Sequence, residues 1–141
     1  MILAVGKPIQ EGEEKYWNEL GIQDRVKVFN GLEDEKVCQL YNKATAFVYP
    51  SLYEGFGIPL LEAMHCGCPI IASDIPSTRE IAEDYPIYFS PQNSDELIDA
   101  FEKVIAEGRD SARLRESSQR KSNFCWDRTA RETLDVYKSL M

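Results

Sequence analysis

The residues with the clearest chemical potential lie in the middle of the chain, where two glutamates flank two glycines. Glu54 precedes Gly55 and Gly57, and Glu62 follows them. Glycine permits backbone conformations and a close ligand approach that a Cβ would block. Pro59 comes next, and because proline lacks an N–H it fits the first turn of a helix, where that donor has no partner within the helix. The pattern therefore predicts a loop that enters a helix between two carboxylates.

The amides at the start of that helix would favour an anion. They lack acceptors within the helix and carry the positive end of its dipole, which suits a phosphate or diphosphate. We expect the free amides to be those of Gly57, Ile58, Leu60 and Leu61. An ionised glutamate only accepts hydrogen bonds and would be repelled by a diphosphate. We therefore expect Glu54 and Glu62 to accept hydrogen bonds from neutral hydroxyls at the two ends of the diphosphate, on a sugar and on a ribose.

Glu62 taken alone has a simpler explanation. A carboxylate near a helix N-terminus contributes about 0.3–1 kcal/mol of stability through the dipole without binding anything. The presence of Glu54 and of the two glycines nearby favours the ligand-binding interpretation.

Short apolar runs alternate with helical patterns along most of the chain. Strands are predicted at residues 2–5, 26–29, 46–49, 69–72 and 87–89, with helices between them and an all-helical segment over 110–141. The first of these runs is typical of a strand buried on both faces. The alternation predicts an α/β fold, in which a Rossmann-like parallel sheet is covered by helices on both faces. In such sheets ligands bind beyond the carboxyl ends of the strands. The loop that contains Gly55 and Gly57, called the glycine loop below, lies there, after the third strand.

Capping residues indicate where several of the helices begin. Asp34 and Asn93 are predicted N-caps of the second and fifth helices, and Asp127 of the last. Ser77 and Glu80 have the spacing of a capping box for a short helix after the fourth strand.

Length and composition are those of one globular domain. The chain has 141 residues, of which 43% are hydrophobic and 28% charged. The net charge of −8 gives no general reason to bind nucleic acid or anionic lipid. No apolar run approaches the ~18 residues that span a bilayer. We interpret residues 1–141 as a single cytoplasmic domain.

The cysteines are interpreted as reduced structural thiols. Cys38, Cys66, Cys68 and Cys125 are too sparse for a disulfide scaffold. Residues 65–68 resemble a metal site, but the spacing is too tight for zinc and no second pair follows at zinc-site distance. We therefore expect no bound metal. The single histidine, His65, could serve as a general base, but we favour an imidazole at a helix end.

Arg79 follows the fourth strand at the rim that would face a ligand. It could neutralise a phosphate, but the favoured interpretation is a surface ion pair with Glu80 or Glu83.

Around the two glutamates the sequence resembles a known enzyme family. Glu54 and Glu62, eight residues apart around Gly-Phe-Gly, look like the E-x7-E motif of retaining GT-B glycosyltransferases, and more narrowly of the glycosyltransferase group 1 family (family 4). Residues 62–73 are similar to the family's E-A-M-x-x-G-x-P-V-I-A-S. Residues 28–31, Val-Phe-Asn-Gly, are similar to the family's V-x-F-x-G strand end, and residues 124–126, Phe-Cys-Trp, are similar to the F-S-W before the closing helix. The resemblance covers nearly the whole chain.

The resemblance implies a role for each matching residue. Glu54 would be the catalytic residue, touching the hydroxyls of the donor sugar beside the reacting anomeric carbon, and Glu62 would hold the ribose. The donor sugar and phosphates would be bound by Gly55, Phe56, Gly57, Ile58 and Leu61, and the base would lie near Phe29, Gly31 and Leu32. Enzymes of this family form a glycosidic bond with retention. No metal or other cofactor is expected, because the helix dipole and basic side chains stabilise the leaving diphosphate.

The resemblance extends only to the C-terminal, donor-binding half of the two-domain GT-B fold. The N-terminal acceptor half is lacking, and so are the first strand and helix of the C-terminal half, which in the family bring an arginine and a lysine to the diphosphate. We expect a fragment that binds donor weakly and transfers nothing by itself. Apolar surface at the truncated edge would favour self-association. The family's closing helix, here about 127–141, crosses onto the lacking half.

The donor is predicted to be a nucleotide-sugar. Residues 75–81 and 88–91 look most like mannosyltransferases of this family, which favours GDP-mannose over UDP-sugars. The acceptor would be a glycan or a lipid-linked glycan, and the longer enzyme would be cytoplasmic or peripheral to a membrane. One alternative is a non-catalytic α/β module that binds a nucleotide-sugar or a protein. Another is a different GT-B relative, such as an epimerase or a phosphorylase, which would lack the arrangement of the two glutamates.

Overall fold

The computed structural model describes residues 1–6, 9–10, 12–116 and 124–140. They form two compact units, Met1–Val37 and Cys38–Met141, and each unit is described by itself. One unit holds a two-stranded sheet and the other a three-stranded sheet, and every strand pairing in both is parallel. Helices lie between consecutive strands, which confirms the predicted α/β class.

The first unit is built on one pair of strands. β1 (Ile2–Val5) pairs with β2 (Val26–Phe29), and the connection between them holds α1 (Glu13–Glu19) and a short 3₁₀ helix (Gln23–Arg25).

The strand β1 is exposed within this unit. Ile2 is 56% and Val5 49% exposed, and no residue of β1 is buried. The prediction that this run is buried on both faces is therefore wrong. A strand in a two-stranded sheet has one pairing neighbour, which is too little of the unit around it to enclose it.

The second unit is built on a three-stranded parallel sheet with β4 at its centre. The sheet order is β3 (Phe47–Tyr49), β4 (Ile70–Ser73), β5 (Ile87–Phe89), and all of β4 is buried. The helices, in chain order, are α2 (Asp34–Lys43), which begins in the first unit, α3 (Ile58–His65), α4 (Pro76–Ala82), α5 (Ser94–Glu107), α6 (Ala112–Glu116) and α7 (Trp126–Ser139).

Two apolar clusters cover the two faces of this sheet. Successive residues of a strand point to opposite faces, and accordingly Ile70 and Ala72 belong to one cluster while Ile71 belongs to the other. Residues of α3 and α4 complete the first cluster, and residues of α5 complete the second. The arrangement confirms a parallel sheet with helices on both faces, and it fixes β3, whose end leads into the glycine loop.

The N-cap predicted for α5 is confirmed, and the other three predicted helix starts differ. Asp34 is the first residue of α2 rather than the cap before it. The side chain of Asn93 accepts from the amides of Asp95 and Glu96, as an N-cap should. α4 begins at Pro76, so the capping box predicted at Ser77 is wrong. The hydroxyl of Thr78 provides the capping instead. It accepts from the amide of Ile75, the N-cap residue, at 3.3 Å, and it donates to the carbonyl of Ser73 at 2.6 Å in the buried turn after β4. α7 begins at Trp126 with Cys125 as its N-cap, two residues before the expected Asp127.

Candidate functional site

The glycine loop leaves β3 and enters α3 through a left-handed residue. Gly57 is the N-cap of α3, with φ +115°, a conformation that side chains rarely adopt. A Cβ at this position would lie 3.1 Å from Cδ1 of Leu60. Pro59 falls in the first turn, as predicted. The glycine and the proline thus fix where the loop stops and the helix starts.

The backbone amides at the start of α3 differ in whether they have an acceptor. Within the described part of the chain, no acceptor is found for the N–H groups of Phe56, Gly57 or Ile58. Phe56 and Ile58 are 45% and 46% exposed, whereas Gly57 between them is buried. The amide of Leu60 donates to the carbonyl of Gly57 at 3.0 Å. The prediction that the Leu60 amide is free is therefore wrong, because the first turn tightens and uses it internally.

Glu54 is held by groups from its own loop. The hydroxyl of Ser51 donates to Oε1 of Glu54 at 2.8 Å, and the carboxylate is partly buried. Hydrogen bonds from Tyr49 and Ser51 lower the pKa of Glu54 below its usual value. Burial and the bond to this carboxylate raise the pKa of Tyr49 to about 12. Two hydroxyls therefore keep Glu54 ionised and restrict its orientation.

Glu62 lies one turn inside α3 and is exposed. Among the described residues its carboxylate has one hydrogen bond, from the Tyr41 hydroxyl of α2, at 3.4 Å from Oε2, which is long for a hydroxyl donor. Burial and the nearby Glu62 charge raise the pKa of Tyr41 well above its usual range. The Tyr41 ring stands edge-on to Phe47, with centroids 5.2 Å apart. Tyr41 is thus fixed by packing, and Glu62 has freedom to reorient.

An aromatic contact connects the loop to the start of the last helix. The rings of Phe56 and Phe124 meet edge to face with centroids 5.9 Å apart. Gly55, beside Phe56, is exposed, and a Cβ there would meet nothing within 4 Å. The loop is therefore supported by a ring contact on one side and left open around Gly55.

The remaining predicted site residues lie in two places. Leu61 is half-buried on α3, and its carbonyl accepts from Nδ1 of His65 at 2.8 Å, which fits an imidazole at a helix end. Phe29 ends β2, and Gly31 and Leu32 follow it, all within the first unit. The base-binding role of these three residues stays a prediction.

Arg79 has a different partner from the one predicted. Its guanidinium donates to both carboxylate oxygens of Asp74, each at 2.7 Å, and lies 3.7 Å from the ring centroid of Tyr88. The hydrogen bond from Arg79 lowers the pKa of Asp74. The predicted surface pairing with Glu80 or Glu83 is thus replaced by a bidentate pair. Asp74 lies in the turn between β4 and α4, five residues before Arg79, where its two oxygens meet two nitrogens of the guanidinium.

Sequence reasoning missed a contact between two cysteines. The sulfurs of Cys38 on α2 and Cys66, the C-cap of α3, are 3.2 Å apart. No spacing in the sequence signals this contact, because it depends on how α2 packs beside α3. In the described ranges no group of three or more His, Cys, Asp or Glu is placed to hold a metal ion. None of the helices in those ranges combines the length and apolar character needed to cross a bilayer.

Comparison with known proteins identifies the family. The sequence model described as "Glycosyl transferases group 1" matches residues 1–121. The chain is 34% identical to O-antigen chain mannosyltransferase B of Escherichia coli, over 82% of this chain and 30% of that protein. It is 35% identical to MMP alpha-(1->4)-mannosyltransferase of Mycolicibacterium hassiacum, over 89% of this chain and 32% of that protein.

The fold agrees with this family. Sucrose-phosphate synthase of Thermosynechococcus elongatus superposes with a TM-score of 0.79 at 28% identity, over 98% of this chain and 38% of that structure. The chain thus spans about a third of the length of these proteins. Since the family match covers most of the sequence and the fold is that of part of a GT-B enzyme, the chain belongs to the group 1 glycosyltransferases.

Proposed function

We propose that this chain is the donor-binding part of a retaining glycosyltransferase that transfers mannose from GDP-mannose to a glycan or lipid-linked acceptor. The observation that carries the proposal is the loop from Glu54 to Gly57, which opens α3 with a fixed, ionised carboxylate and with amides that have no acceptor among the described residues. A helix N-terminus with free N–H groups is a site for a diphosphate. The family match supplies the reaction class.

Each group in the loop has a proposed task. The amides of Phe56, Gly57 and Ile58 donate to the distal phosphate and the sugar, with Gly55 and Leu61 beside them. Their N–H dipoles stabilise the charge that develops on the leaving diphosphate, without a bound metal. The Glu54 carboxylate accepts from hydroxyls of the donor sugar and lies beside the anomeric carbon.

Glu62 has its task at the other end of the diphosphate. Its exposed carboxylate can accept from both hydroxyls of the ribose, and its single long bond to Tyr41 leaves it free to do so. Phe29, Gly31 and Leu32 would contact the base.

Mannose is the proposed sugar because the two relatives above are named as mannosyltransferases. GDP-mannose is therefore placed ahead of UDP-sugars as donor. The chain covers about a third of those relatives, so the acceptor is assigned to a further domain and the chain by itself is proposed to be inactive. The longer enzyme is placed in the cytoplasm, and the exposed apolar residues of β1 are proposed to favour self-association of this chain.

A binding titration tests the proposal. The chain is titrated with GDP, UDP and GDP-mannose and followed by NMR of its amides, since binding by one domain is expected to be weak, with a Kd of about 1 mM. We expect GDP and GDP-mannose to shift the amides of the loop, with UDP weaker. Glu62→Ala should weaken GDP binding about 10- to 100-fold, because a charged acceptor of two hydroxyls is lost.

Glu102→Ala is the matched control, since Glu102 is an exposed glutamate of α5 in the same unit. It should bind as the wild type does. If Glu62 acts only on the helix dipole, Glu62→Ala will lower stability slightly and leave binding unchanged. Equal and negligible binding of all three nucleotides would reject the proposed site, and turnover of GDP-mannose by the purified chain would contradict its proposed inactivity.

A further inference from the structure

Two thiols of the second unit lie close enough to react with each other. The Cys38 and Cys66 sulfurs are 3.2 Å apart, about 1 Å more than the length of a disulfide bond. Cys38 is exposed and Cys66 is half-buried. A small reagent can therefore reach Cys38 from solvent, and the second sulfur is already beside the first.

We propose that Cys38 and Cys66 form a thiol–disulfide exchange site whose substrate is a low-molecular-weight disulfide such as oxidised glutathione. In the first step the Cys38 thiolate attacks one sulfur of the small disulfide, and the other half leaves as a thiolate that takes up the proton lost by Cys38. In the second step Cys66, after losing its proton, attacks the Cys38 sulfur and releases the second half. Two protein thiols are oxidised to one disulfide, and one small disulfide is reduced to two thiols.

The surroundings assign an order to the two cysteines. Burial and the contact with Cys38 raise the pKa of Cys66 to about 11, so Cys66 stays a thiol while Cys38 begins the exchange. Asn42, one turn along α2, donates from Nδ2 to the Cys38 sulfur at 3.4 Å. Once Cys38 is in the mixed disulfide its own charge and hydrogen bond no longer oppose ionisation of Cys66, which favours the second step.

The other two cysteines are excluded by position. Cys68 is fully buried, and burial raises the pKa of its thiol. Cys125 is exposed at the N-cap of α7, and within the described residues no other sulfur lies beside it.

The backbone around the pair is held in place by Arg109. Its guanidinium donates to the carbonyls of Tyr41 and Ala44 at the end of α2, at 3.1 and 2.6 Å, and to the carbonyl of Cys66 at 3.2 Å. The two helix ends are thus bridged by one side chain before any covalent bond forms. A disulfide would add a link between α2 and α3, the helix that carries Glu62, whether or not Glu62 binds a ribose.

Intact-mass spectrometry tests the proposal on the whole chain. The reduced protein, at low micromolar concentration, is incubated with oxidised glutathione and then quenched with an alkylating agent. We expect the monomer to lose two hydrogen atoms and to protect two thiols from alkylation. Trypsin should then yield a linked pair of peptides, residues 37–43 joined to residues 44–79. The melting temperature should rise by about 5–10 °C and return on addition of dithiothreitol.

Variants identify the sulfurs. Cys125→Ser is the matched control and should form the link as the wild type does, and Cys68→Ala should also form it. Cys66→Ser should stop at the mixed disulfide of Cys38, and Cys38→Ser should form neither product.

Four outcomes of the mass spectrometry would overturn the proposal. They are no reaction in the wild type, a mixed disulfide that never resolves, a link that persists in Cys66→Ser, and a product that is only an intermolecular dimer. A melting temperature that falls on oxidation would also overturn it, since it would show that the fold must distort to join the two sulfurs.

Discussion

The two glutamates that flank the glycine loop stand in unequal surroundings. Glu54 is partly buried and accepts a 2.8 Å bond from Ser51, three residues before it. Glu62 is exposed, and its hydrogen bond comes from Tyr41, on another helix, at 3.4 Å. The first carboxylate is fixed by its own loop, whereas the second depends on how two helices pack.

This difference matches the tasks proposed for them. A carboxylate beside a reacting carbon is most effective when its position and charge are fixed before the substrate arrives, since no reorganisation is then needed in the transition state. The hydroxyls of Tyr49 and Ser51 do this for Glu54. A carboxylate that holds a ribose must instead accept two hydroxyls at once, which the loosely held Glu62 can do by reorienting.

The largest effect is expected from Gly57→Ala, which alters the junction between the loop with Glu54 and the helix with Glu62. The residue has φ +115°, and the new Cβ would lie 3.1 Å from Leu60, which is fully buried. We expect a loss of about 1–3 kcal/mol in the free energy of unfolding, measured in urea. GDP binding should fall at the same time, because the amides of the first turn would shift.

Gly55→Ala is the control for this comparison. Gly55 does not have a positive φ, and a Cβ there would meet nothing within 4 Å. Its stability should change by less than about 0.5 kcal/mol. Equal losses of stability in Gly57→Ala and Gly55→Ala would show that the left-handed conformation of Gly57 is not what holds the loop with Glu54 to the helix with Glu62.

The fold could be predicted from the sequence because its signals are local. Apolar runs gave the five strands within a residue or so, and Pro59 gave the start of α3. The exposure of β1 could not be predicted, because burial depends on what lies beside a strand rather than on its own composition. Two predicted helix starts were wrong because another residue provides the cap. The hydroxyl of Thr78 accepts from the amide of Ile75 at the start of α4, and Cys125 is the N-cap of α7.

The form of the loop at the candidate site could be predicted from the sequence, but most of its contacts could not. The glutamates, glycines and proline could be found from spacing alone. Three features could not: the amide of Leu60 is used within the first turn, Arg79 pairs with Asp74, and Tyr41 reaches Glu62. The first depends on the local backbone geometry of the turn, the second on side-chain direction and the third on the packing of two helices, and none of these is encoded in residue spacing.

An intermediate effect is expected from Tyr41→Phe, which removes the one hydroxyl bonded to Glu62. Because that bond is long, the loss of stability at neutral pH should be below about 1 kcal/mol, and the ring contact with Phe47 is kept. The pKa of Tyr41 is raised in the folded state, so its contribution is present below pH ~10 and is lost as the pH rises above the unfolded value. Relative to wild type, the variant should therefore gain stability above pH ~10 in urea unfolding.

Tyr137→Phe serves as the control for Tyr41→Phe, since Tyr137 is 64% exposed on α7. It should follow the wild type at every pH. A large loss for Tyr41→Phe at neutral pH would mean that Glu62 is held as firmly as Glu54, which would remove the contrast between them.

The smallest effect is expected from Ser51→Ala, and it measures how the loop keeps Glu54 ionised. The pKa of Glu54 should rise towards its usual value, followed by NMR titration of the side-chain carboxyl carbon, and Tyr49→Phe should raise it further because Tyr49 contributes more. Since the folded pKa is below the unfolded one, the stability involved is present above pH ~4 and is lost as the pH falls through the folded value. The difference in stability between wild type and Ser51→Ala should therefore narrow in acid. If the pKa of Glu54 is the same in all three proteins, the two hydroxyls do not hold it, and both carboxylates would depend on the bound donor for their positions.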